Sequence, residues 1–346
     1  MKNGDDLKKL GEFGLIDRIA ERVRKATGVV LGIGDDAAAF SPSPGRVNLI
    51  TTDMLVEGIH FDLSFCDPLS LGRKALSVNL SDIAAMGGEP RFFLLSLAIP
   101  PTINLDFLDT CIEGMLQRAE QFGVTLIGGD TCSSRDSLIL TITALGEQYP
   151  DRIIQRSGAR PGDRICVTGT IGDSALGLRL LQQGWREGTA IMRHLDPVPR
   201  VRQGVALADA AIPSAMIDLS DGLLGDLGHI LDLSSVGARV DAAATPLSEE
   251  FRQFFPVLTE DAQTLAFAGG EDYELLFTVP PEKIQLVGPL MEKLETPVSI
   301  IGTITAERSL VVAGPDGRTL SPARTGFNHF SRPEKRSKER MEKDVN

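Results

Sequence analysis

The chain has 346 residues, 42% apolar and 24% charged, and its 47 acidic against 35 basic side chains leave a formal net charge of -12. That length exceeds one ordinary core, so two domains are expected. The acidic balance excludes nucleic acid or an anionic membrane as a general partner, since both demand clustered Lys and Arg.

Residues 1–28 are charged throughout and carry no apolar run of the signal-peptide kind, and no stretch reaches membrane-spanning length. At 31–40 the chain reads LGIGDDAAAF, where Gly32, Gly34 and Ala37 match the G-x-G-x-x-G/A dinucleotide fingerprint and Asp53 stands near the position of a ribose-binding acid. That fingerprint needs a helix whose first amides meet a pyrophosphate. SPSPG at 41–45 stops any such helix, and Asp35 and Asp36 repel phosphate, so the turn suits a cation.

Runs rich in β-branched and apolar residues predict strands at 46–53 (RVNLITTD), 91–99, 124–130 and 137–147. Leu105, Leu108, Ile112, Met115, Leu116, Ala119 and Phe122 form one stripe, predicting a helix closed by Gly123. The pattern loosens over QYPDRIIQRSGARPGD (148–163), which sets the expected domains at 1–150 and 151–330. The second half restarts with a strand at 164–169, a helix from Asp173 to Gln183 stopped by Gly184, a strand AMIDLS (215–220) and a helix GLLGDLGHILDL (222–233). Residues 331–346 form a mixed-charge tail, expected to be disordered. Cys66, Cys111, Cys132 and Cys166 contain no C-x-x-C pair, which argues against zinc and for a reduced, cytoplasmic protein.

Acids recur where apolar runs meet small residues: Asp36, Asp53, Asp82, Asp130, Asp218, Asp221, Glu271 and Asp272. One such acid is an ordinary turn former or helix cap. A set of hard oxygen donors nearly without His or Cys points to Mg²⁺, with Mn²⁺ as substitute, and hence to a polyphosphate. Yet there is no Gly-Lys pair, hence no P-loop, and no protein-kinase V-A-I-K or H-R-D set.

The ordered motifs GEFGLI, GIGDDAA, TTDMLVEGIHF, KALSVNLSDIAAMGG, LIGGDT, RSGARPGD, VTGTIGDSALGL, IDLSDGLLGDLGHI, GGEDYELLFTV and GFNHF span 11–330. Through them the chain resembles the thiamine-monophosphate kinase family of the PurM-like ATP-binding superfamily. The resemblance implies in-line transfer of the ATP γ-phosphate onto thiamine monophosphate. It also implies an α/β (α+β) fold of two domains, the N-terminal one a mixed sheet with helices that dimerises. Carried over, the Mg²⁺ ligands are Asp36, Thr51, Thr52, Asp53, Asp82, Asp130, Asp218 and Asp221, with one threonine acting through its carbonyl. Of the adjacent pair at 35–36 the motif favours Asp36, and alternation turns Asp35 away. ATP contacts fall on Gly129, Asp130, Arg156 and Ser220, and thiamine contacts on His60, Glu271 and Phe327. His194 and His229 read as structural. Selenophosphate synthetase needs a reactive cysteine near a glycine-rich N-terminus, and the hydrogenase maturation factor a C-terminal cysteine; neither pattern stands in this sequence. The alternatives left are another PurM-like ATP-dependent enzyme and a Mg-nucleotide-binding protein without turnover.

Overall fold

The computed structural model describes residues 4–24, 26–254, 262–314, 316, 318–320 and 326. Helix α1 (Gly4–Ala20) leads into a short antiparallel hairpin, β1 (Val29–Leu31) and β2 (Ala39–Phe40), so the LGIGDDAAAF stretch turns between strands and starts no helix. Strand β3 (Val47–Val56), helix α2 (Pro68–Ala85), strand β4 (Glu89–Ile99), helix α3 (Leu105–Phe122) and strands β5 (Thr125–Ser133) and β6 (Ile139–Gln148) follow. They build a four-stranded sheet in the order β3-β6-β4-β5, antiparallel except between β4 and β5.

Alternation gives this sheet two unlike faces. Leu49, Leu55, Leu95 and Ile142 are buried on the helix-covered face. On the other face stand Ile50 and Met54, 66% and 55% exposed. β3 runs three residues past its expected end and β5 likewise, so Asp53 and Asp130 lie inside strands rather than at their ends.

α3 follows its predicted span, with the Asn104 side chain accepting the Phe107 amide at 2.8 Å and Gly123 closing it at φ 67°. α2 was not expected. It is buried nearly all round, so no polar stripe advertises it. Asp67 caps it by accepting the Ser70 amide at 3.0 Å, with Pro68 in its first turn. α2 and α3 meet backbone to backbone: a Cβ on Gly72 would lie 1.8 Å from the Cys111 carbonyl oxygen, and one on Gly114 2.0 Å from that of Leu69.

The second half contains β7 (Arg164–Thr168), α4 (Asp173–Gln182), α5 (Thr189–Leu195), α6 (Val201–Asp209), β8 (Ala215–Asp218) and α7 (Leu223–Ser234). It continues through β9 (Gly237–Asp241), α8 (Glu249–Phe254), α9 (Ala262–Ala268), β10 (Leu275–Val279), α10 (Ile284–Glu292), β11 (Val298–Thr305), β12 (Leu310–Ala313) and β13 (Thr319–Leu320). Seven strands pair in the order β13-β12-β9-β11-β7-β10-β8, antiparallel apart from β9 beside β12. The architecture is therefore mixed α+β. The strand expected over 215–220 stops at Asp218, leaving Ser220 and Asp221 in a turn.

α2 joins the two halves, packing on β3 and β6 on one side and on α6 and β8 on the other. One apolar cluster runs from Leu95 and Ile142 through Leu76 and Leu80 to Leu207 and Ile217. Asp196, at the end of α5, takes Arg73 of α2 at 3.1 Å and Arg118 of α3, tying the halves a second time. No helix among the described residues is long and apolar enough to cross a membrane. The four cysteines are free, and only Cys132 is exposed.

Candidate active site

Three acids from three elements converge where the halves meet: Asp53 on β3, Asp82 on α2 and Asp218 at the end of β8. α2 supplies their support from two faces. Asn79 and Asp82, three apart, face β3: Asn79 Oδ1 accepts the Asp53 amide at 3.1 Å, and Thr51 Oγ1 donates to Asp82 at 2.5 Å. Ser81 faces the second half and donates to Asp218 Oδ2 at 2.6 Å.

Burial first, and then Asp82, pushes the Asp53 carboxyl up to about 7. Asp218 also rises to about 7, through burial and then Asp82, against the Ser81 hydrogen bond and Arg156. Asp82 is raised by burial, while Thr51 and Arg156 pull it back. When such a cluster is ionised, a cation between its carboxylates is favoured. Arg156, exposed on the loop between the halves, acts on two of the acids and so stands at the mouth of the cleft.

The turn after β8 is fixed by Asp226, whose Oδ2 accepts the amides of Ser220 at 3.1 Å, Asp221 at 3.1 Å and Gly222 at 3.0 Å. That holds Asp221 and Ser220 in place before α7. Ligand atoms of Asp221, Asp226 and His229 lie within 4.8 Å of one another. Asp226 is already committed to the turn, which makes it a support.

A second polar group lies on the far side of the turn. The Glu271 amide donates to the Ser220 carbonyl at 2.8 Å, and Glu271 adopts φ 66°, unusual for a residue with a side chain. Its carboxylate meets Lys74 Nζ at 3.2 Å and His194 Nδ1 at 3.4 Å. Burial alone would raise the Glu271 carboxyl, but the Lys74 ammonium beside it outweighs burial and holds it below the usual range. His60 Nδ1 accepts the Val56 amide at 3.0 Å, which fixes its ring beside β3. His194 is pushed down to about 3 by burial and then by Lys74. Ser174 Oγ and Glu271 approach the same His194 nitrogen, so these three residues form no relay of the nucleophilic kind.

Other expected residues stand apart. Thr52 points to the opposite face of the sheet from Thr51, its Oγ1 donating to the Ile142 carbonyl at 3.1 Å and accepting from Thr143 Oγ1 at 3.2 Å, so its hydroxyl lies away from the acids. Asp53 is in register with Ile142, Leu95 and Gly129 across the sheet, whereas Asp130 pairs with Ser96 and points to the open face. Three strand spacings, about 14 Å, separate β3 from β5. Within one chain, therefore, Asp130 does not join the Asp53–Asp82–Asp218 group. Gly129 is required by contact: a Cβ there would lie 1.8 Å from the Leu95 oxygen. Asp36 is exposed in the hairpin bend, while the Asp35 carboxylate turns back to accept the Asp36 amide at 2.9 Å. Phe327 lies outside the described residues. Its neighbour Gly326 sits against the Asp221 carbonyl, 3.3 Å from an ideal Cβ.

Two groups, Lys74 and Tyr273, escaped the sequence reading. Lys74 is the lone basic residue at an apolar phase of α2, and that phase was its signal. Tyr273 is buried at φ 51°, its hydroxyl raised well above the ordinary value by burial and then by Glu271, Asp53, Asp218 and Asp82. Nothing in its local sequence gives this away. Asp272 accepts the Gly172 amide at 2.6 Å and the Ser174 amide at 3.1 Å, so the anion at the start of α4 is the chain's own.

The chain matches the family models for AIR synthase related proteins, the N-terminal domain over residues 34–148 and the C-terminal domain over 160–314. It is 42% identical over 330 residues to the thiamine-monophosphate kinase of Escherichia coli (strain K12), covering 93% of this chain and 99% of the relative. The crystal structure of thiamine-monophosphate kinase from Stenotrophomonas maltophilia K279a aligns with TM-score 0.80 at 38% identity, covering 90% of this chain and 98% of that one. AaThiL complexed with AMPPCP and TMP aligns with TM-score 0.73 at 33% identity over 94% and 98% of the two chains.

Proposed function

The chain belongs to the thiamine-monophosphate kinase family, from which we infer that it transfers the γ-phosphate of ATP to thiamine monophosphate, giving thiamine diphosphate and ADP. AaThiL has been solved with AMPPCP, whose nucleotide is an ATP analogue, and with TMP, the pair of ligands such a transfer requires. The observation that carries the reading is the meeting of Asp53, Asp82 and Asp218 beside Arg156, with Glu271 across the Ser220 turn.

The donor set fits Mg²⁺: carboxylate and threonine oxygens, no thiolate, and acids that raise one another in the absence of a cation. Thr51, Asp53, Asp82, Asp218 and Asp221 would hold the ions, Thr52 through its carbonyl, and the family pattern adds Asp36 and Asp130, which stand apart from this group within one chain. Bound Mg²⁺ supplies charge neutralisation and bridging of phosphate oxygens. Arg156 adds a fixed, fork-shaped cation for the ATP phosphates, and Gly129, Asp130 and Ser220 line the nucleotide. Glu271 and His60 face the thiamine moiety, with Phe327 as an aromatic partner for its flat, cationic rings. The acceptor is itself a phosphate, and no side chain near Glu271 is arranged as a nucleophile. Direct in-line transfer follows, with positioning and charge as the source of rate.

Asp130 and the open sheet face argue for a homodimer. A second copy docked on the Ile50–Met54 face covers exposed apolar side chains and brings a partner face to Asp130 that its own chain cannot supply. The four free cysteines support a cytoplasmic setting.

The test is a product assay for thiamine diphosphate and ADP, with and without Mg²⁺, for the native protein and Asp221→Asn. Equal amounts of the two products, dependent on Mg²⁺ and reduced at least a hundredfold in the variant, are expected. ADP without thiamine diphosphate would remove the acceptor assignment and leave the nucleotide site standing.

A further inference from the structure

We propose that Lys74 is a positioning residue for the acceptor substrate, holding the Glu271 carboxylate that meets the thiamine cation without touching substrate itself. The proposal rests on the reading of Glu271 above. Lys74 is 1% exposed on α2, so its ammonium reaches no ligand in the cleft. The Nζ stands 3.2 Å from Oε1 and 3.2 Å from Oε2 of Glu271, a contact across 197 residues of sequence and between the two halves of the chain.

The pair is asymmetric. The Lys74 side chain is 2% exposed and that of Glu271 27%, so the ammonium lies behind and the carboxylate faces outward. A link serving only to fasten α2 to the second half would do as well or better with apolar side chains, because burying two charges costs several kcal/mol of hydration. An outward carboxylate backed by a hidden cation has a use that an apolar link lacks. It stays charged despite its burial, and it is aimed. His194, neutral beside it, contributes a third point of contact at 3.4 Å, and the hydrogen bond from the Glu271 amide to the Ser220 carbonyl at 2.8 Å holds the backbone at its strained φ of 66°. Toward a thiazolium, which cannot give up its charge by losing a proton, an ionised carboxylate supplies a charge–charge attraction that a protonated one lacks.

Steady-state kinetics of Lys74→Met, Glu271→Gln and the double variant decide it, with KM measured separately for thiamine monophosphate and ATP and folding followed by thermal denaturation. Lys74→Met is expected to raise KM for thiamine monophosphate at least tenfold and to leave KM for ATP within twofold. In the Glu271→Gln background the same change is expected to have no further effect, since Lys74 acts through Glu271. A rise in both KM values alike, or effects that multiply in the double variant, would overturn the proposal. If Glu271→Gln leaves KM for thiamine monophosphate unchanged, the substrate role of Glu271 falls, and the role of Lys74 with it. If Glu271→Gln raises that KM while Lys74→Met, folded, does not, only the role of Lys74 falls. Should Lys74→Met fail to fold, the double variant buries neither charge and is read against Glu271→Gln: equal KM values support the proposal, and a further rise overturns it.

Discussion

Asp53 and Asp218 each sit in a place that makes their own charge expensive, and the expense has a direction in pH. Their carboxyls, near 3.9 in an unfolded chain, stand at about 7 in the folded one. A raised carboxyl favours folding fully below the unfolded value, and that contribution is lost as pH rises through the folded value. Without metal, these two groups therefore make the protein less stable at pH 8 than at pH 6. Mg²⁺ selects the ionised forms, so the gain in Tm on adding it is expected to be larger at pH 8 than at pH 6. Thermal denaturation at both values checks this, and equal gains would remove the acids from the metal site. The acids themselves were legible in the sequence, because carboxylates repeated beside small residues without His or Cys admit few readings. Lys74 and Tyr273 were not, since their meaning lies in the groups that other parts of the chain set against them.

α2 shows the same limit for a whole element. Its sequence mixes Leu, Ser, Gly, Asn and Ala without a polar stripe because every side of the helix is covered. The α3 stripe is plain by contrast, since one side of that helix meets water. Yet α2 carries Lys74, Asn79, Ser81 and Asp82 on two faces and fixes both polar groups of the site. Its place depends on the glycine contact with α3. Gly114→Ala sets a methyl group 2.0 Å from the Leu69 carbonyl oxygen and forces the helices apart. The expected cost is about 3 kcal/mol or more, together with a loss of activity larger than the loss of folded protein. Urea unfolding beside the kinase assay measures both, and an unchanged midpoint would contradict the contact.

For the molecule as a whole, two sheets meet around α2, with Asp196 clamped by Arg73 and Arg118 on one side and a bare sheet face on the other. The bare face bears on oligomeric state. Met54→Glu places a charge on the exposed sheet face proposed as the dimer contact. Sedimentation is expected to show a monomer, and the kinase rate is expected to fall at least tenfold, because Asp130 then faces solvent alone. A dimer that persists, or a monomer of full activity, would count against the shared arrangement.

Composition and motif order were enough to point to the kinase family and a mixed fold, and to propose an acidic, oxygen-donor site for a metal-bound polyphosphate. Local periodicity was enough for β3, β4, α3, β7 and α7, because each has one face in water or a turn that ends it. Tertiary structure alone decided which acids meet. Asp53 and Asp130 stand in similar settings along the chain, each after an apolar run, yet one faces the helices and the other the open sheet. A strand reverses its side chains at every residue, so face is set by register with neighbouring strands, and register is a property of the assembled sheet.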